Sequence, residues 1–487
     1  MSSSFHFSDS PNFQRQSDDF ISWLSEKPGV NINPNIAVTD LRSQGAGRGV
    51  VAQTDIPENE ELFTIPRNLV LTTQNSKLKD LLSLDLEKEL GPWMSLMLVM
   101  IYEYLLGDKS TWAAYFKVLP HTFDTLMFWS DDELLELQES PVVDNIGRQD
   151  ADDTIRSMIA PIMRKHPSLF PPVDGLPSYD GDAGAQAVLH LAHRMGSLIM
   201  AYAFDIEKPE DEDEEGDGEG GYMTDDEEEQ LPKGMVPLAD LLNADADRNN
   251  ARLFQDGNAL VMKAIKPIAK GEEIFNDYGE IPRADLLRRY GYVTDNYAPY
   301  DVVELSLETI CKVAGLSDAD TEEQPPLAFL EEFDAVEEGY VLPRPSQEDD
   351  SLAEFIPTEL KVLLRTLTLS PEELAQQKSQ NKPPKPAFEQ AEATILAKAI
   401  QLRLSNYDTT IAEDQEILAQ LNSSEDSSGP LDQSARRRRM AVQVRIGEKE
   451  VFQQLASILD AYVNAPAAKR AADGDNGESR ASKAPRT

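Results

Sequence analysis

Three polar residues stand at the ends of apolar runs between residues 235 and 292. Asn243 follows MVPLADLL, Tyr278 follows EIFND, and Tyr290 closes the run ADLLRR. Amide and phenol groups placed this way suit a site that recognises a small polar ligand and a reacting amine. Each has a plainer alternative. Asn243 can cap a helix or turn, and either tyrosine can simply pack in a core.

The elements that would hold these residues are read from periodicity. Val50-Val51-Ala52 and Glu61–Ile65 form strands about the turn DIPENE, and Pro66 ends the second. An echo supports this: IPENEELF at 56–63 resembles IAKGEEIF at 268–275. The β-rich pieces thus lie at 48–70 and 252–278. Between them, residues 92–106, 131–138, 151–165 and 184–205 carry apolar spacing near 3.6.

The reading divides the chain as follows. Residues 1–16 are a loose arm. Residues 17–298 form a β-rich domain split by a helical insertion over about 92–208 and an acidic loop at 209–231. Residues 299–465 form a mainly helical domain, with helices at 302–314, 327–334, 351–366, 371–378, 386–407, 411–421 and 432–463. Residues 466–487 are a polar tail. The fold class is α+β.

Net charge is −42 over 487 residues, 87 acids against 45 bases. Phosphate binding needs basic surface, so nucleic acid is excluded as a direct partner. A basic protein is the matching partner. The single cysteine, Cys311, allows no internal disulfide and no multi-cysteine zinc site, which points to a reducing compartment. The start MSSSFHFSDS lacks a basic n-region, so no signal peptide is read. Met94–Leu106 carries Glu103 and is too short to span a bilayer, so no membrane partner is expected.

Residues 210–229 hold thirteen carboxylates and no base, a solvated run. Thr224 and Ser423-Ser424 precede acids and suit acidophilic kinases. His190 and His193 share a helix face, but no third ligand is evident, so no metal is expected. Arg436–Arg439 read as a helix face pairing with nearby acids.

Together the motifs resemble the SET-domain protein-lysine methyltransferases. The matching pieces are Gly45-Ala46-Gly47-Arg48-Gly49, Ala239-Asp240-Leu241-Leu242-Asn243, Glu273 through Gly279, and Arg289-Tyr290-Gly291-Tyr292. The helical insert, the helical C-terminal domain and the lack of cysteines resemble the Rubisco-methyltransferase-like branch. The resemblance implies S-adenosylmethionine as methyl donor. It makes Tyr278 the catalytic residue, and it puts Ala46, Gly47, Arg48, Asn243, Ala244 and Tyr290 at the cofactor. Trp112, Tyr202, Phe204 and Asp240 become candidates for the substrate channel. Ala244 departs from the histidine usual after the motif asparagine.

The implied substrate is a basic protein, by resemblance to a fungal subgroup a protein of the large ribosomal subunit. A nuclear target is the alternative, and so is a non-catalytic SET-fold binder of basic tails. Lys469-Arg470 with Arg480, Lys483 and Arg486 is spaced like a bipartite nuclear signal, so the protein is expected in the nucleus and the cytoplasm. It is expected to act as a monomer.

Overall fold

The computed structural model describes residues 12–44, 46–82, 84–173, 175–207, 231–316, 324–345, 352–429 and 431–465. The acidic run at 210–229, Thr224 and the tail from 466 lie outside them. The fold divides into two compact units. The first takes the chain up to Trp129, then Asp144–Glu280 and Asp285–Tyr292. The second takes Ser130–Val143, Ile281–Ala284 and the chain from Val293 onward.

In the first unit, β1 (Asn31–Ile32), β4 (Glu61–Pro66), β8 (Ala259–Ala264) and β7 (Ala251–Asp256) form one sheet in the order β1-β4-β8-β7. A second sheet runs β2 (Ile36–Asp40), β3 (Arg48–Ala52), β9 (Glu273–Ile274). The echo in sequence is a pairing in space. Ile56 and Ile268 exchange both backbone hydrogen bonds, at 2.8 and 2.9 Å. Around that point Val51 pairs with Glu273, and Glu61 pairs with Lys263. The two turns are therefore related by a local two-fold, and each supplies one strand to each sheet.

The helical insertion hangs from this frame. Its main helices, Leu86–Leu105 and Gly181–Tyr202, pack on each other. The first bends at Gly91, whose φ of 73° only glycine adopts easily, and Pro92 restarts it. Leu96 through Tyr102 are all buried in one core with the strands. The insertion does not stay helical to residue 205. Ala203–Asp205 is β5, paired antiparallel with β6 (Lys233–Met235), and it carries Phe204 opposite Gly234.

Two other expectations are corrected. The arm stops short of residue 16, because a helix begins at Phe13. The Phe13 ring is buried with the guanidinium carbons of Arg48 and Arg42 at 3.8 and 4.0 Å from its centroid, which anchors the first turn. Residues 302–306 are β10, not helix; β10 pairs with β11 (Gly339–Pro343). Val303 and Leu305 are buried with two-residue alternation, and Ser306 then caps the helix Leu307–Ala314.

The second unit is built on the helix Gln433–Asn464, which packs on Gln390–Ser405 and Ile411–Ser428. Inside it, fully buried Asp414 accepts from Arg445 Nε at 2.9 Å and Lys449 Nζ at 2.6 Å. Residues 130–143 belong here, not to the insertion. Ser140 donates to Glu448 at 2.5 Å and Glu133 accepts from Arg437 at 2.7 Å, so their polar partners are this unit's helices. Arg438 and Arg439 likewise pair with Glu136 and Glu425, while Arg437 is buried rather than solvated.

Candidate active site

The site is built where two chain segments lie side by side. Ala244 and Asn276 form a parallel bridge, and Asn276 N–H donates to Asn243 O at 2.8 Å. The Asn243 side chain is held rigidly. Its Nδ2 donates to Arg48 O at 3.1 Å and to Glu273 Oε1 at 2.6 Å. Glu273 is half-buried, and desolvation raises its pKa despite the Asn243 hydrogen bond. Gly49 makes this junction possible. A Cβ there would stand 2.4 Å from Leu41 Cδ1, 2.6 Å from Glu273 Oε1 and 3.1 Å from Asn243 Nδ2.

The loop bearing Tyr278 is fixed from both sides. Asp277 accepts from Gly279 N–H and from Asn249 Nδ2, each at 2.8 Å. Buried Asn250 clamps the preceding strand, donating to Glu273 O at 3.0 Å and accepting from Phe275 N–H at 2.9 Å. Tyr290, at the end of the helix Arg283–Tyr290, stacks on Tyr278. Burial pushes the Tyr290 phenol up to about 12.

These residues enclose a cavity of about 230 Å³, lined by Tyr202, Phe204, Asp240, Asn276, Tyr278 and Tyr290 among others. Asp240 is its only buried acid among the described lining residues. It sits on the turn Ala239–Leu241, entered through Leu238 at φ 78°. That left-handed conformation is costly for leucine and marks a turn the surroundings must hold. Asp240 Oδ2 accepts from the Tyr115 hydroxyl, while its Oδ1 is buried with no partner. Burial pushes the carboxyl up to about 8. Burial also raises the Tyr202 and Tyr115 phenols.

The structure therefore brings Tyr202, Phe204, Asp240, Tyr278 and Tyr290 together. Asn243, Ala244 and the Ala46–Arg48 loop join through the Asn243 hydrogen bond and the Ala244 bridge. Leu41 closes that loop, donating to Gly47 O at 2.9 Å and accepting from Ala46 N–H at 3.2 Å. Only the backbone of Arg48 faces the site. Its guanidinium bonds to Ser17 Oγ, Val118 O and Phe13 O at 2.9–3.2 Å. Trp112 is a correction: it is buried core, its indole donating to Leu69 O at 2.8 Å, and it does not line the cavity. His193 pairs with Asp152 at 2.6 Å, and His190 is exposed. Tyr115 and Asn250 are neighbours of the site that the sequence does not single out.

Comparison with known proteins bears on the fold and its domains. The SET domain profile matches residues 47–279, and the Rubisco LSMT substrate-binding profile matches 327–452. The chain carries a SET domain and a Rubisco LSMT substrate-binding domain. It is 37% identical to ribosomal lysine N-methyltransferase 4 of Saccharomyces cerevisiae, over 61% of this chain and 60% of the yeast protein. It is 28% identical to N-lysine methyltransferase setd6 of Xenopus laevis, over 90% and 94%. A structure of Rubisco LSMT bound to AdoMet superposes with TM-score 0.65 at 22% identity, covering 92% of each chain, which shows the fold.

The methyl donor of this family is S-adenosylmethionine. The residues present fit it. Asn243 Nδ2 donates to Arg48 O, which puts the amide and that carbonyl together as polar groups for the donor's amino-acid end. The unpartnered Asp240 Oδ1 and the tyrosine faces suit cationic groups.

Proposed function

We propose that this protein methylates a lysine of a large-subunit ribosomal protein, with Tyr278 as the catalytic residue. The observation that carries the chemistry is the unpartnered Asp240 Oδ1 in a cavity walled by tyrosines. A lysine side chain is the group that fits: an alkyl stem for the walls and an amine for the carboxyl. The similarity to the yeast ribosomal enzyme and the net charge of −42 support a basic ribosomal substrate.

Bound S-adenosylmethionine supplies an activated methyl group. The chain's own residues must deliver a neutral amine to it. A free lysine has a pKa of about 10.4, so at pH 7 the neutral form is scarce by roughly 4–5 kcal/mol. Burial lowers that pKa and raises the one on Asp240, and the two converge. Ionised Asp240 takes the ammonium proton, and the amine lone pair is freed. Tyr278 orients the amine, and Tyr290 stacked behind it holds the phenol in place. Asn243, Ala244 and the 46–48 backbone hold the donor's polar end.

The test is transfer of labelled methyl to purified large ribosomal subunits from a strain lacking this protein, with Tyr278→Phe alongside. Label on one ribosomal protein, lost in the variant, supports the proposal. Label on nuclear extract alone moves the substrate to a nuclear protein. Cofactor-free capture of basic tails, unchanged in Tyr278→Phe, identifies a binder. A nuclear pool carried by the tail is part of the proposal; a tail-deleted reporter that stays nuclear refutes it.

A further inference from the structure

Beside the reacting cavity lies a second one that the methyl transfer does not use. Its volume is about 290 Å³, and it opens between the helices Leu86–Leu105 and Gly181–Tyr202. Met200 lines both cavities, so they adjoin at that side chain. The lining is mostly apolar, with Met94, Met97 and Met127 joining Met200. Thioether side chains adapt to whatever apolar shape they meet. Thr125 adds a polar mark: it is 3% exposed, it lines the cavity, and its Oγ1 has no hydrogen-bond partner.

We infer that this cavity receives an apolar side chain of the substrate protein, close in sequence to the target lysine. The inference rests on the lysine-methyltransferase reading above. In an extended peptide, side chains on one face recur every second residue, about 7 Å apart. A residue two positions from the lysine therefore reaches a cavity that adjoins the first at Met200. The size suits one leucine, methionine or phenylalanine side chain and not a second polypeptide segment. The buried hydroxyl of Thr125 is placed to take a backbone carbonyl or N–H of that residue. The acidic field of the chain attracts a basic substrate without choosing among its lysines, and this cavity supplies the choice.

The test uses the full chain and synthetic basic peptides with one central lysine. Leucine replaces alanine at each position from three before to three after the lysine, and kcat/KM is measured for labelled methyl transfer. One position, two residues from the lysine, is expected to favour leucine over alanine about tenfold or more, mainly through KM, as burial of one such side chain provides. Thr125→Phe fills the cavity and brings that ratio close to one. The ratio is internal to each variant, so loss of overall activity does not imitate the effect. Should Thr125→Phe not fold, Ser197→Leu on the other wall is read the same way. Wild-type transfer with no favoured position, or a preference that survives filling, overturns the inference. No transfer to any peptide or protein overturns the underlying function instead.

Discussion

The rings of Tyr278 and Tyr290 lie face to face, 4.0 Å between centroids and 7° from parallel. One belongs to a loop after a strand and the other to the end of a helix. The stack joins the two elements at the cavity and leaves Tyr278 little freedom to turn.

Removing only the hydroxyl should therefore separate position from chemistry. Tyr278→Phe keeps the stack and the fold. The expected result is a kcat lower by about 100-fold or more, the scale of losing one oriented polar group, with an unchanged melting temperature. A variant that transfers methyl at the wild-type rate removes Tyr278 from the catalytic role.

Asp240 gives two pH signatures. On the empty protein its carboxyl titrates near 8, against an ordinary value of 3.8. Above 3.8 the unfolded chain loses the proton that the folded chain keeps, so Asp240 makes stability fall as pH rises toward 8. Asp240→Asn should flatten the fall in melting temperature between pH 4 and 8. In catalysis the sign reverses: kcat/KM rises with pH through about 8 as the carboxyl becomes able to take the lysine proton. Loss of that inflection in the asparagine variant is the check.

Gly49→Ala tests the junction of strand and asparagine. The added methyl meets Glu273 Oε1 and Asn243 Nδ2, which are bonded to each other and cannot both retreat. Stability should drop by about 1–3 kcal/mol, the cost of overpacking, and S-adenosylmethionine should bind more weakly. Calorimetric titration with the cofactor reads the second effect. Unaltered affinity would mean that Asn243 does not hold the donor.

In the second unit, Asp414→Ala removes the ion-pair partner of Lys449, about 1% exposed, and leaves equally buried Arg445 with Glu136 alone. A buried charge left without its partner costs about 3–5 kcal/mol, so denaturant melts should lose that much. A loss under 1 kcal/mol would show that the lysine and arginine find water.

The sequence displays some of this site directly. Asn243, Tyr278 and Tyr290 each end an apolar element, and that pattern survives projection onto one dimension. The repeated turn at 56–63 and 268–275 also shows in the letters. Tyr115 does not. A tyrosine that packs and one that bonds to Asp240, 125 residues away, look the same in sequence. Trp112 misleads for the converse reason, because an aromatic three residues before Tyr115 is used to fill the core. Arg48 is split: its carbonyl serves the site, and its charge is spent on the first helix. Val302–Ser306 reads as helix because a short apolar run fits either period until the cap at Ser306 is recognised.

The two-fold pairing of the turns at Ile56 and Ile268 has a consequence for synthesis. Strands β3 and β4 leave the ribosome early, and their partners β9 and β8 follow only after the whole insertion. At about 5–20 residues per second this is a wait on the order of ten seconds or more. Through that interval β3 and β4 each present an unpaired, apolar strand edge, the kind of surface that chaperones capture and that aggregates when they do not. The nascent chain, more than the finished enzyme, is where substitutions in Val50, Val51 or Phe63 should be felt as lost yield.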